Sequence, residues 1–404
     1  MPMMLAQFVF TALTIVALIP VAMVCIEIIA SFMPAKTPLA AQELVRSTLI
    51  IPAHNEGKSL LPTLNKIAEQ NPGNWSVLVV ADNCTDETAN LARTCLAQHA
   101  TNSETQWSRV VERHNPDERG KAYALAFGLD EIADDPSDIV VFIDADCLAR
   151  DGAIAQIIAT AYHHQRPAQA LYLMDAPENA RASERVSAFA WLLINKVRMA
   201  GLARLFDVTR LTGSGMAFPR QILRDHFSGS GEIVEDLGLT LKLVEAGHPP
   251  LLVPSAIVTS TLAPSDSAAS TVQRARWERG SLAMAKRAGF GLFKRSLLNG
   301  HLRGMALALD LAIPPLTLLI GGLAALMTVT TIIGLVGIAG PFFLSLWASF
   351  IFGIALVAAW WRNGRAVLPI SSLSGIGSFI AQKGRIYGRE GRDSTRSWTR
   401  TDRE

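Results

Sequence analysis

Charge is so unevenly distributed along this 404-residue chain that its absence, more than any motif, limits the folds available. No Asp, Glu, Lys or Arg occurs from Met1 to Ile26, and none from Leu311 to Trp361. About 20 apolar residues cross a bilayer, so the first block predicts one span, roughly Leu5 to Phe32, and the second predicts two. The opening MPMMLAQFVF has no basic residue, and its apolar stretch is too long for a cleaved signal, which predicts a retained helix. The turn near Gly337 to Pro341 is uncharged, whereas Lys36, Arg46, His301, Arg303, Arg362, Arg365, Lys383, Arg385, Arg389 and Arg392 flank the spans. Basic residues stay on the cytoplasmic side. The expected layout is a transmembrane helix at 1–34, a cytoplasmic domain at 47–290, an interfacial segment at 291–305, two transmembrane helices at 306–361 and a basic cytoplasmic tail at 362–404.

The charged middle of the chain alternates strand-like and helix-like segments. STLIIPAH precedes a helical stretch near Leu60 to Gln70, SVLVVAD precedes Thr85 to Gln98, SRVVERH precedes Lys121 to Ala133, and DIVVFIDAD precedes Ala153 to His164. Continuous Val/Ile runs alternating with helices predict an α/β fold with a mostly parallel sheet covered on both faces. Cys25, Cys84, Cys95 and Cys147 have no metal-type spacing and read as packing residues of a reducing compartment. A net charge of +2 and the lack of a basic tract interleaved with aromatics argue against nucleic acid. The basic residues gather near the membrane instead, which suits lipid headgroups or an anionic lipid carrier.

Ligands of such sheets bind beyond the carboxyl ends of the strands, and polar clusters lie there. Strand one ends in PAHNEG, strand two in ADNCTDET and strand four in VFIDADC. If VFIDADC is extended, Asp144 and Asp146 leave one face a few ångströms apart and call for a cation. Turn chemistry explains any one cluster; three on one rim favour a nucleotide-and-metal site. Neither G-x-x-x-x-G-K-[ST] nor G-x-G-x-x-G follows strand one, so carboxylates and a cation must replace a glycine cradle for phosphate.

PAHNE, ADNCTDET, RGKAYAL, DAD, GSG, ED and QRARW occur in that order between about Thr48 and Gly280. Together they resemble a membrane-bound family 2 glycosyltransferase, with the GT-A fold shared by cellulose, hyaluronan and poly-N-acetylglucosamine synthases. The Q-x-x-R-W after E-D is the specific part. The resemblance implies a nucleotide-sugar donor, expected to be UDP-linked, and Mg²⁺ or Mn²⁺ on Asp144 and Asp146. Asp146 would be the main metal ligand and Asp144 would lie closer to the ribose. It implies that Asp82 takes the uracil edge or the ribose, while Pro52, His54 and Glu56 wall the nucleoside. Lys121 either neighbours the nucleotide or simply starts a solvated helix. Asp236, beside Glu235 at a helix start, is the implied general base, and a single base gives inversion. Arg276 would approach the diphosphate. Gly213, Ser214 and Gly215 would form an acceptor loop of small residues, with Gln273 and Trp277 at the acceptor sugar; Trp277 equally suits a membrane-interface anchor. Ser255, where the family often has an acid, is read as outside the reaction.

The acceptor is expected to be membrane-held, lipid-linked or polysaccharide, in exopolysaccharide or cell-surface glycan synthesis at a bacterial-type inner membrane. Other polysaccharide-assembly proteins are possible partners. Single addition is preferred to processive synthesis because three spans are few for a closed polymer channel. A non-catalytic nucleotide-sugar scaffold and a metal-dependent nucleotidyltransferase are the rivals from other classes. Glu27 and Asp310 lie within or beside spans, where a shallow interfacial position is favoured over pairing with a neighbouring helix.

Overall fold

The computed structural model describes residues 2–35, 45–99, 108–177, 179–229, 235–262, 280, 283–284 and 288–387. Its strands are β1 (Ser47–Ala53), β2 (Trp75–Asp82), β3 (Arg109–Arg113), β4 (Ile139–Phe142), β5 (Leu148–Ala149), β6 (Ala168–Asp175), β7 (Met216–Pro219) and β8 (Leu251–Thr261). The helices needed below are α1 (Pro2–Ala30), α2 (Leu61–Gln70), α3 (Thr88–Gln98), α4 (Lys121–Glu131), α5 (Ala153–His164) and α6 (Ala182–Phe206). They continue as α7 (Arg220–His226), α8 (Glu235–Glu245), α9 (Phe290–Leu298), α10 (Leu302–Leu311), α11 (Leu316–Leu335), α12 (Gly340–Gly364) and α13 (Ile376–Tyr387).

The strands form one sheet in the order β3-β2-β1-β4-β7-β6-β8-β5. The first four run parallel, β7 is antiparallel to both β4 and β6, and β8 runs parallel to β6. Leu49, Ile51, Val77, Val79, Val141 and Ile154 fill the core on one side of the sheet, and Ile50, Leu78, Val80, Val140 and Phe142 fill the other. Burial on both faces is why these strands read as unbroken apolar runs. The expected α/β fold with a mostly parallel sheet is present.

The sheet opens between β1 and β4. Their pairing ends at Ile50 and Phe142, whereas β1 stays with β2 through Ala53 and Ala81. The carbonyl of Ile50 accepts the last bond across this edge, from the Ile143 N–H. Pro52, two residues later, would have turned its missing N–H toward the same side, where no partner strand remains. Proline therefore costs no ladder bond, and the strands part around a crevice at the point where the strand order reverses.

One expectation about the acidic pair changes here. β4 stops at Phe142, and Asp144 to Cys147 form a turn closed by the Cys147 N–H on the Asp144 carbonyl at 3.1 Å. Asp144 and Asp146 are brought together by that turn, not by strand alternation.

Among the described residues, four helices are long and apolar enough to cross a membrane: Met3–Ala30, Ala182–Phe206, Leu316–Leu335 and Gly340–Gly364. The three expected from the uncharged blocks are among them. The extra one, α6, is held along the sheet. Trp191 Nε1 donates to the Tyr172 carbonyl of β6, and Arg166, just before β6, donates twice to Asp207 at the far end of α6, each bond 2.7 Å. A helix fastened alongside one strand in this way runs back over the sheet instead of leaving it.

α1 crosses α6 at Gly201, where a Cβ would lie 1.9 Å from the Glu27 carbonyl oxygen. Only glycine permits that approach. Beside the crossing, Arg198 of α6 donates to Glu27 Oε2 at 2.7 Å and to Asp310 Oδ1 at 2.5 Å, and Arg210 donates to Asp310 Oδ2 at 3.3 Å. Glu27, Arg198 and Asp310 are all buried. The favoured interfacial position for Glu27 and Asp310 is thus replaced by pairing, because α6 supplies the arginine. The first part of the expected basic tail is also folded: Phe379 of α13 and Leu368 pack on Val186 of α6.

Candidate active site

The carboxyl ends of β1, β2, β3 and β4 bring most of the predicted residues to the crevice. At the β1–β2 edge, His54 and Asn83 stand in sequence-distant loops joined by backbone and side-chain bonds. The His54 Nδ1–H donates to the Asp82 carbonyl at 2.6 Å, which fixes the tautomer because a carbonyl can only accept. Asn55, at φ 52, takes the Thr85 N–H on its side-chain oxygen at 2.7 Å. Pro52 is the last residue but one of β1, and Glu56 begins the following turn, its carbonyl accepting from Ser59.

Asp82 is buried and already partnered. Its Oδ1 accepts from Arg113 Nη1 at 2.8 Å and Asn83 Nδ2 at 3.0 Å. Arg113 also binds Glu118 and lies over the Tyr123 ring at 5.6 Å. Arg113 was missed in the sequence, although it ends β3 on the same rim and one strand from Asp82, a signal of the kind that singled out the other clusters.

Lys121 is the first residue of α4, and its side chain turns into the crevice. Its ammonium forms an ion pair with Asp144 and donates to the Gly213 carbonyl at 2.7 Å. Burial pushes the Lys121 ammonium down, but Asp144 and then Glu235 push it further up, so the net shift is upward and the group stays charged. A solvated helix start does not describe it.

Glu235 and Asp236 open α8, where the helix dipole favours carboxylates. α8 is gripped on two sides, by Leu239 and Leu243 against the sheet and by Leu237 and Leu241 against α9 and α10. Asp236 Oδ1 accepts its neighbour's N–H at 2.8 Å. A Cβ placed on Gly213, which sits at φ +92, would be 3.5 Å from both Asp236 Oδ2 and Lys121 Nζ. Gly213 thus marks the point where candidate base, ammonium and acceptor loop converge. Burial pushes the Asp236 carboxyl up, against the opposing pull of Lys121.

Two members of the predicted acceptor loop face elsewhere. Ser214 is fully buried; its Oγ accepts the Asp144 N–H at 3.0 Å, so it holds the acidic turn in place. At Gly215, a Cβ would lie 2.8 Å from Val258 and 2.9 Å from Ala170, so sheet packing demands this glycine. Neither lines open space for an acceptor. Gln273, Arg276 and Trp277 lie outside the described residues. Ser255 bonds Gln156 on the exposed side of β8, away from the crevice.

The donor set at the turn suits a hard divalent cation. Asp144, Asp146 and Cys147 each offer a ligand atom, and these atoms lie within 4.8 Å of one another. Two carboxylates on one short turn match Mg²⁺ or Mn²⁺. Cys147 is fully buried, and its thiol is pushed well up by that burial and by the two aspartates, so it remains a protonated packing group. Asp146 Oδ2 accepts from Ser260 Oγ at 3.0 Å, a partner at the end of β8 that sequence reading did not find. Burial pushes Asp144 up as well, with Lys121 opposing and Asp146 reinforcing.

Comparison with known families now decides the class. The family described as "Glycosyltransferase like family 2" matches residues 46–280, more than half of the chain. The chain belongs to this family. Among solved structures it is similar to the mannosyltransferase PcManGT of Pyrobaculum calidifontis in complex with GDP-Man and Mn²⁺, at 19% identity and TM-score 0.54. That likeness covers 88% of this chain and 97% of the other. A second is glucosyl-3-phosphoglycerate synthase of Mycobacterium tuberculosis, at 18% identity, TM-score 0.40, and 61% and 86% coverage. No curated protein matches. The fold is that of the GT-A glycosyltransferases, and the family 2 region coincides with the sheet, the crevice and the flanking helices.

Proposed function

We propose that this family 2 glycosyltransferase is an inverting enzyme that moves a sugar from a nucleotide-diphosphate donor to a membrane-held acceptor. The observation that carries the reading is the convergence at Gly213 of the Asp236 carboxylate and the Lys121 ammonium, beside Asp144. Asp236 accepts the proton of the attacking acceptor hydroxyl as that oxygen bonds the anomeric carbon and the bond to the diphosphate breaks. One base acting opposite the leaving group inverts the anomeric centre. Asp144 and Asp146 would hold Mg²⁺ or Mn²⁺, which when bound neutralises charge on the departing diphosphate. Lys121 adds a positive charge on the same side of the crevice.

His54, Asp82 and Glu56, with Pro52, form the nucleoside side of the crevice, and Arg113 holds Asp82 rigidly for that task. Arg276 is assigned to the diphosphate, and Gln273 and Trp277 to the acceptor. The donor is proposed to be UDP-linked; GDP-Man in the first structural relative makes a GDP-linked donor the direct alternative. A donor screen that measures UDP and GDP release separates them.

The three helices α1, α11 and α12 are proposed to cross the membrane, with the sheet on the cytoplasmic side, because basic residues flank their ends on that side. The acceptor is proposed to be a lipid-linked sugar of exopolysaccharide or cell-surface glycan assembly, receiving one residue at a time. Product length from a labelled nucleotide sugar tests this. Long polymer made by the purified protein alone would establish processive synthesis instead.

A further inference from the structure

Away from the crevice, the membrane-facing side of the protein carries an apolar groove of about 1020 Å³ between Phe32 and one face of α12. Ser349, Gly353, Val357 and Trp361 recur at intervals of four and so form a single stripe. From Ser349 to Trp361 the stripe rises about 18 Å at 1.5 Å per residue, more than half of the ~30 Å hydrocarbon depth. Its floor is open at Gly353, where a Cβ would meet no atom within 4 Å.

One end of the groove is different in kind. Arg362 lies over the Phe32 ring at 5.0 Å, and Arg365 lies over Trp361 at 4.3 Å. Arg204 joins them, donating to the Ser31 carbonyl and near enough to Arg362 for the two charges to repel. Among the described residues none of these three guanidiniums pairs with a carboxylate. The ring contacts fix Arg362 and Arg365, at and just past the end of α12, at the groove mouth and leave their N–H edges for an oxyanion.

We propose that this groove binds an anionic phospholipid, with an acyl chain along the Gly353 face and the phosphate against Arg362 and Arg365. An apolar groove alone accepts any chain, and clustered arginines alone accept any anion. Their continuity on one helix face requires both properties in one molecule. Trp361 stands at the junction, the level at which tryptophan marks the membrane interface. Through Phe32, Ser31 and Arg204, the bound lipid would brace the contact between α1 and α6, the helix that lies along the catalytic sheet. The inference rests on the membrane-spanning reading of α1 and α12.

The full-length protein reconstituted in phosphatidylcholine nanodiscs, with and without phosphatidylglycerol, provides the test. Native mass spectrometry counts retained lipid, and thermal unfolding reports its effect. The wild type should retain phosphatidylglycerol over phosphatidylcholine by on the order of tenfold and melt at a higher temperature with it. The Arg362→Gln/Arg365→Gln variant should lose that preference, and Gly353→Leu, which fills the groove and keeps both arginines, should retain less of either lipid. An unchanged preference in the double arginine variant, or wild-type retention in Gly353→Leu, would overturn the proposal. Equal stabilisation by soluble glycerol phosphate would show an anion site without a chain, and displacement by polyprenyl phosphate at equal concentration would show a different lipid; either overturns the assignment. Alkaline carbonate extraction tests membrane spanning separately, so lost lipid preference in a protein that stays in the membrane counts against the groove alone.

Discussion

Two of the charged clusters among the described residues, one buried between helices and one half-buried in the crevice, are built to opposite rules. Between α1, α6 and α10, the carboxylates of Glu27 and Asp310 meet the guanidiniums of Arg198 and Arg210, one cation for each anion. Among the described residues of the crevice, Asp144, Asp146, Glu235 and Asp236 act on one another and on one ammonium, Lys121. The first cluster matches two formal anions with two cations; the second, among the described residues, holds more carboxylates than cations. Balance fastens the helices together, whereas imbalance costs the free protein stability and creates affinity for a cation and what it carries.

The sharpest break of this contrast is expected from Asp146→Asn. Removing the carboxylate that is not tied to Lys121 should abolish metal-dependent turnover, while Asp144→Asn should mainly weaken donor binding. Metal affinity equal to wild type in the Asp146 variant, measured by calorimetry, would refute the division. In the balanced cluster, Arg198→Met leaves two buried carboxylates short of a partner and should cost about 3–5 kcal/mol of stability, read from denaturant or thermal unfolding in detergent. Gly201→Ala pushes a methyl group into the Glu27 backbone and should cost about 1–3 kcal/mol by the same assay. Asp144→Asn should instead raise the melting temperature of the free protein, because it removes charge from a group whose neutral form burial already favours.

A smaller effect is expected in the pH dependence. Burial raises the Asp236 carboxyl above the ordinary aspartate range. The turnover of the wild type should therefore fall on the acid side with a midpoint above that range, as the base gains its proton. The stability sign is opposite: a raised folded value contributes stability that is fully present below the ordinary aspartate value and is lost as pH rises through the raised one. Asp236→Asn should remove that decline from a plot of melting temperature against pH.

Much of the catalytic half is legible in the sequence. Ser47–Ala53 and Trp75–Asp82 read as strands because both faces of each are buried, and Ala153–His164 was placed to the residue. The acidic pair was found, but the turn that joins it was not, because nothing local marks where β4 loses its neighbour β1. α6 could be read only as a helix. Its apolar surface results from contact with the sheet on one side and with α1 and α13 on the other, which is a tertiary fact. The same reason hid the partner of Glu27 and Asp310: Arg198 lies 171 positions from one and 112 from the other. Arg113 differs: its place at the end of β3 is legible in the sequence, but its pairing with Asp82, 31 positions away, is a tertiary contact.

The central claim, that an unbalanced acidic crevice performs inverting sugar transfer with Asp236 as base, has one direct test. Nucleoside diphosphate release is measured from a panel of UDP- and GDP-sugars, with Mg²⁺ or Mn²⁺ and with chelator, for the wild type and Asp236→Asn, alongside donor binding to each. The predicted result is metal-dependent release from one donor class by the wild type, lowered about 10²–10⁴-fold in the variant with donor binding retained. Release at the wild-type rate by an Asp236→Asn protein that still binds donor would contradict it.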